Sequence, residues 1–406
     1  METRGNQLAP PTPSTDVSNT PTSERRDTDE IDPSLELRLM HGWTAYACKT
    51  FATDVEFWMY QVPLIALQFR PVLDSVLAMA ALHASRQPPK QWVPTEGRMV
   101  PLRDVTYDPA HPYQDVNNTG KPRSMEINEA FLNRVNHAGN NVYLASKRRS
   151  EMLAASRFYF ERAIDGYMRS LQDLSIENIE AIFVTSVLCS FHACFVLSES
   201  DEDSTLPSVD PVQWMRIGKG TRFIRHRWAD LVGSVWLGTS GVLNGKPGIM
   251  MDDPTLFNTE HGRPFLKLLT YAQDFETIHA EDRAIYKDVL CYIGAIYTMI
   301  VEHTEDEVAM CRRIVGTASW NDPSFTDFVE ARQPRALAIL AHLFACMKLI
   351  AEKVPWFDGI AERQIPKIYD QLPAGWRPML AWPIAIMNGE IDREPTETQI
   401  DDILAL

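Results

Sequence analysis

From Ala336 to Cys346 every residue is apolar except His342. A helix that is apolar on all sides has no surface to show to water, so the rest of the chain must wrap it. Pro334 gives this helix a clear start, because a first-turn residue has no use for its N–H. Three aromatic–proline punctuations follow: Pro355-Trp356-Phe357, Pro373-Ala374-Gly375-Trp376 and Trp382-Pro383. Each is expected to stop a helix and to leave an indole near the turn, where its N–H can reach an acceptor. The stretch Gln333–Pro383 therefore predicts a buried central helix ringed by short, Trp-anchored ones, with an internal hydrophobic pocket.

The remainder of the 406 residues is long enough to supply that wrapping. With 45% hydrophobic and 23% charged residues, the composition is that of an ordinary soluble globular domain. A net charge of −15 argues against a nucleic-acid-binding face, which needs clustered Lys and Arg. The six cysteines (Cys48, Cys189, Cys194, Cys291, Cys311, Cys346) sit in apolar helical patterns, and none forms a CxxC pair. Free buried thiols are expected, with no disulfide framework and no metal site. The polar, Pro/Thr-rich N-terminus is not a secretory signal. Ala181–Leu197 is uncharged but only at the lower limit of a membrane span, so a buried helix is expected and no membrane span.

Residues 1–31 have almost nothing to bury and read as a disordered tail. Residues 32–390 read as one all-α domain, and 391–406 as an acidic tail. Asp32-Pro33 starts a first amphipathic helix through Leu35, Leu39 and Trp43. Short helices are expected at Leu64–Phe69 and Val72–Ser85, the latter with a small, apolar face. Between residues 87 and 123 seven prolines and the Asn117-Asn118-Thr119-Gly120 cluster argue against regular structure. An inserted loop of this length fits a lid, with Trp92, Tyr107 and Tyr113 as its apolar contacts. Helical signal resumes near Met125 and is strong from Ser150 to Leu171. Ser175 is expected to cap a buried helix from Ile176 to Leu197, and Pro211 to open another. Residues 233–263 are Gly/Pro/Asp-rich and irregular. Further helices are expected over Pro264–Ile278, Asp282–Glu302 and Glu305–Gly316. No stretch shows period-2 alternation and no internal repeat is present, so the fold class is all-α.

Catalytic signatures are absent: no HExxH, GxSxG, P-loop or GxGxxG occurs, and no cofactor is expected. Gly218-Lys219-Gly220 is too short to cradle phosphate and reads as a helix C-cap. Asp201-Glu202-Asp203 lacks metal-ligand spacing, and Lys147-Arg148-Arg149 reads as a solvated helix face. The residues that stand out are polar groups inside apolar helices, His83, His192 and His342. A buried imidazole must be hydrogen-bonded and is kept neutral unless paired. Each alone is more often a core histidine than a ligand contact. Together with Trp356, Trp376 and Trp382, which serve equally as core anchors, they are the candidate pocket residues.

Several spaced segments resemble a known family. Gln333–Phe344, Pro355-Trp-Phe-Asp-Gly359, Leu372-Pro-Ala-Gly-Trp376 and Leu380-Ala-Trp-Pro383 look like the C-terminal signature of fungal zinc-cluster transcription factors of the sterol uptake control type. Leu35-Glu-Leu-Arg-Leu-Met-His41, Val76–Ala84, Ser175–Glu180, Asp210-Pro-Val-Gln-Trp214 and Gly218-Lys-Gly220 fit in the same order. The resemblance spans about residues 34–385. It implies an all-α, homodimer-forming regulatory domain with a hydrophobic pocket for a sterol-like ligand. Three departures stand against the pattern. No cysteine precedes Cys48 where the family carries its zinc cluster, the loop 87–123 looks inserted, and Trp356-Phe357-Asp358-Gly359-Ile360 replaces a more aromatic motif.

Two function classes follow. The first is a ligand-sensing regulator, cytoplasmic or nuclear, that binds a sterol, terpene or polyketide and makes no direct contact with nucleic acid. The second is an enzyme of fungal secondary metabolism that uses the same pocket for a cyclisation or cycloaddition. Such a reaction needs orientation and water exclusion rather than a nucleophile.

Overall fold

Aspartate and proline set most of the helix starts. Asp306 accepts from the backbone N–H groups of Val308 and Ala309, and Asp322 from that of Ser324. Pro33, Pro211, Pro323 and Pro334 each occupy a first helical position. The computed structural model describes residues 33–50, 55–86, 92–95, 98–101, 138–199, 210–232, 262–271 and 278–391.

Among these residues the fold is all-α. The N-terminal half comprises α1 (Pro33–Ala45), α2 (Val62–Gln68), α3 (Arg70–Arg86), α4 (Ala138–Ser170), α5 (Ile179–Phe195) and α6 (Pro211–Val232). A π-helical turn, Phe57–Gln61, leads into α2. The C-terminal half comprises α7 (Arg263–Thr270), α8 (Ala280–Glu302), α9 (Glu307–Trp320), α10 (Pro323–Glu330), α11 (Pro334–Ile350), α12 (Ile360–Gln371) and α13 (Ala381–Met387). Short 3-10 turns at Pro355–Phe357 and Ala374–Leu380 connect the last three.

The expected central helix is α11, buried from Arg335 to Met347. It is wrapped by α8, α12, α13 and the Ala374–Leu380 turn. Burying side chains such as Leu340, Phe344 and Met347 contributes roughly 1.5–3 kcal/mol each. A second centre, α5, is equally enclosed, by α3, α4 and α6. Its apolar run is thus a core helix, as expected. The two centres join where α6 crosses α9. At that crossing a Cβ on Gly218 would sit 2.4 Å from the Cβ of Ala318, so only glycine permits the approach. Gly218-Lys219-Gly220 is therefore mid-helix packing rather than the C-cap read from sequence, where local pattern cannot show a neighbouring helix.

Other boundaries moved for local reasons. Helix α5 begins at Ile179, because Ser175–Asn178 forms a turn in which Asn178 accepts from the Ser175 N–H. Helix α9 passes through Gly316 to Trp320, and α7 stops at Thr270. Trp382-Pro383 opens α13 rather than ending a helix, since Pro383 falls in the first turn. The segment 87–123, expected to lack regular structure, contains a hairpin, Trp92–Thr95 antiparallel to Arg98–Pro101. A two-stranded ribbon has only edge strands, so Pro94 and Pro101 need no ladder N–H there. The tail 1–31, the rest of 87–123 with Tyr107 and Tyr113, Asp201–Asp203 and residues 392–406 lie outside the described residues.

Candidate functional site

The six candidate residues fall into four neighbourhoods. His83 and Trp356 meet at the C-terminal end of α3, their rings 5.6 Å apart. Trp356 also stacks on Phe195 at 4.6 Å, and its indole N–H donates to Thr50 Oγ1 at 2.6 Å. Arg86 knits this corner together. It donates to the carbonyls of Phe195 (2.5 Å) and Trp356 (3.0 Å) and to Ser198 Oγ (2.8 Å), and pairs with Glu199 at 3.1 Å. Arg149 holds the other carboxylate oxygen of Glu199 at 3.2 Å. The basic run at 147–149 thus contributes one arginine to this knot, with Arg148 left exposed.

His342 and Trp382 form the second pair, stacked at 5.1 Å and edged by Phe265 and Tyr297. The His342 Nδ1–H donates to the Ala338 carbonyl at 2.8 Å, which makes Nε2 the lone-pair nitrogen. Trp376, the third, lies two helical turns along α11. It packs edge-on to Tyr271 at 5.0 Å, with the Arg335 guanidinium 4.9 Å above its ring. Arg335 is fully buried and donates to the carbonyls of Leu268 and Tyr271 at the end of α7. Helix α7 therefore bridges the Trp376 and Trp382 neighbourhoods, with Phe265 at one and Tyr271 at the other.

His192 stands apart, stacked on Phe160 at 4.2 Å. Ser156 Oγ donates to the Ala78 carbonyl (2.9 Å), so it must accept from the His192 Nε2–H at 2.7 Å. The spacing is that of a serine–histidine pair, but the hydroxyl proton is committed and both residues are buried. His192 Nδ1 has no partner among the described residues. Burial, with Arg86 and Arg157 adding repulsion, pulls His192 down to about 3. Burial pulls His342 down to about 4 against its bond to Ala338. Both rings are neutral, as expected of unpaired core imidazoles.

Two open spaces lie beside α11. A cavity of about 200 Å³ is floored by Val212, Val329, Leu337, Leu340 and Ile368. Its rim carries Asp210, Arg332 and Lys367. A shallower groove of about 600 Å³ runs past the end of α11, between Leu349, Pro355 and Ile386, with Lys348 at its edge paired to Glu362. Sequence reasoning missed the smaller cavity because its walls come from four separate segments. The one local signal nearby, Pro334, marks a helix start and not a cavity.

No family model matches the chain. Two curated relatives do. One is a Zn(2)-C6 fungal-type transcription factor of Gibberella zeae, 24% identical over 385 residues, which are 89% of this chain and 64% of that protein. The other is the Zn(2)-C6 fungal-type transcription factor afumD of Aspergillus fumigatus, 31% identical over 341 residues, covering 81% of this chain and 72% of that protein. This chain belongs to the Zn(2)-C6 fungal-type transcription factor family. It spans about two thirds of the length of these relatives, 64% of one and 72% of the other.

The family's name implies a zinc cluster held by six cysteines, and the cysteines present do not fit one. Cys48 lies after α1, Cys189 and Cys194 on α5, Cys291 on α8, Cys311 on α9 and Cys346 on α11. All six are buried. Burial raises the thiols of Cys48, Cys189, Cys194, Cys311 and Cys346, which opposes the thiolate that zinc needs. Among the described residues no group of three or more His, Cys, Asp or Glu is placed to hold a metal.

Proposed function

We propose that this chain is the regulatory domain of a fungal transcription factor, and that it senses an apolar small molecule in a cavity along α11. Membership of the Zn(2)-C6 family supports the regulatory part. The ligand part rests on the half-open cavity beside Leu337 and Leu340, set on the helix that the C-terminal half is built around. A ligand there touches α6, α10, α11 and α12 at once, so its binding energy can favour one packing of the two helical centres over another. The domain works inside the cell, in cytoplasm or nucleus, as a homodimer, and leaves contact with DNA to other parts of the regulator.

The experiment is a thermal-shift screen of sterols, terpenes and aromatic polyketides on the whole chain, with mass spectrometry of whatever copurifies. A ligand selective for the folded state raises the melting temperature by mass action. A flat screen together with an empty extract would sink the sensor reading.

A further inference from the structure

The linker between α10 and α11 contains a strained residue. Arg332 has φ 54°, in the left-handed region that glycine enters freely and other residues rarely do. The turn is a Schellman motif: the Arg332 N–H bonds to the Val329 carbonyl (3.0 Å) and the Gln333 N–H to that of Phe328 (3.0 Å). Glycine is the usual occupant of this C′ position, yet here it is an arginine. Across the turn the helix axis bends by 107°, which brings the Arg332 side chain to the mouth of the 200 Å³ cavity. Backbone strain that persists at a cavity mouth points from structure to function.

The rim chemistry agrees. Arg332 donates to Gln371 and lies 3.6 Å from Asp210, a loose pairing that leaves part of its N–H fork unused among the described residues. Lys367 stands on the same rim. Two cations and one carboxylate give the mouth a net positive charge on a chain whose total is −15. Below them the floor is aliphatic apart from the buried Gln364.

We infer that this cavity binds a small amphipathic monocarboxylate, its hydrocarbon part against Leu337, Leu340 and Ile368 and its carboxylate at Arg332 and Lys367. The inference rests on the reading of the chain as a small-molecule sensor and names the chemical class sensed. A planar guanidinium is suited to a carboxylate, which it can grip with two N–H donors.

The test titrates the whole chain with octanoate, octanol and octylamine at matched ionic strength, by calorimetry and by melting temperature. Octanoate is expected to bind saturably, octanol roughly tenfold or more weaker through loss of the charge-assisted bond, and octylamine not at all. Leu340→Trp fills the cavity and should abolish octanoate binding. Arg332→Gly relaxes the backbone, so it should fold at least as well as the parent while its preference for octanoate over octanol disappears. Arg169→Gln, at the exposed end of α4, should change nothing. Equal binding of octanoate and octanol, a preference for octylamine, or octanoate affinity untouched in both Leu340→Trp and Arg332→Gly would each overturn the assignment. If octanoate fails while a sterol or terpene still raises the melting temperature, the sensor reading stands and this site does not.

Discussion

Acid should unlock this protein through two histidines. His192 and His342 are neutral and buried, with folded values drawn down to about 3 and about 4. In the unfolded chain an imidazole titrates near 6.5, so between these values the unfolded state binds protons that the folded state refuses. Stability is therefore complete above about pH 6.5 and falls as the pH drops toward the folded values. At about pH 5 the linkage amounts to about 2 kcal/mol per histidine, hence about 4 kcal/mol for the pair. This figure is insensitive to the folded values, because at that pH both sites remain unprotonated in the fold. A second proton on His192 would face no acceptor among the described residues at Nδ1, and one on His342 would place charge inside the Trp382 stack. The assay is urea unfolding followed by circular dichroism at about pH 7.5 and about pH 5, for the parent, His192→Gln and His342→Gln. Each substitution lowers stability outright, but the quantity read is the pH dependence. Each should remove about 2 kcal/mol of the parent's loss. If the parent and both variants lose the same amount on acidification, the histidines are not the cause.

Three further outcomes follow from packing and charge. Gly218→Ala should destabilise by about 1–3 kcal/mol despite alanine's better helix propensity, because the new methyl meets Ala318; pairing it with Ala318→Gly should recover part of the loss in thermal melts. Arg86→Met strips Glu199 of its shorter ion pair and removes the arginine donor from the Phe195 and Trp356 carbonyls, so a loss on the order of 3–5 kcal/mol is expected, and a loss below about 1 kcal/mol in urea titration would show that Arg149 suffices. Labelled DNA duplexes titrated with this chain at low salt should show no saturable, sequence-selective binding, given its charge of −15; such binding would refute the proposed division of labour.

The central helix was legible because its signal is local: a proline start and an unbroken apolar run from Ala336 to Cys346, with one histidine inside. Pro33 and Pro211 were readable on the same grounds. Helix α10 was not anticipated, although Asp322-Pro323 is a clear cap and start, because its run is too short for periodicity to speak. The special residues were legible as types. His83, His192, His342 and the three tryptophans are all distinctive in sequence. Which ring meets which was not legible, since Trp356 finds Phe195 and Trp382 finds His342 only through tertiary packing. Arg332 shows the limit most plainly: nothing in Ala-Arg-Gln-Pro announces a left-handed residue, because the conformation is imposed by the corner between two helices.

The place of α11 in the chain has a consequence for biosynthesis. The N-terminal centre around α5 has all its described helices once Val232 is made, so it can assemble early. Helix α8, one of two described helices apolar and long enough to cross a membrane, is finished at Glu302. Its partner α11 is complete only at Ile350. At about 5–20 residues per second the ribosome needs a few seconds to bridge that gap. During those seconds α8 exists without the helix that covers it in the fold, so its α11-facing side has no native partner until Ile350 is made.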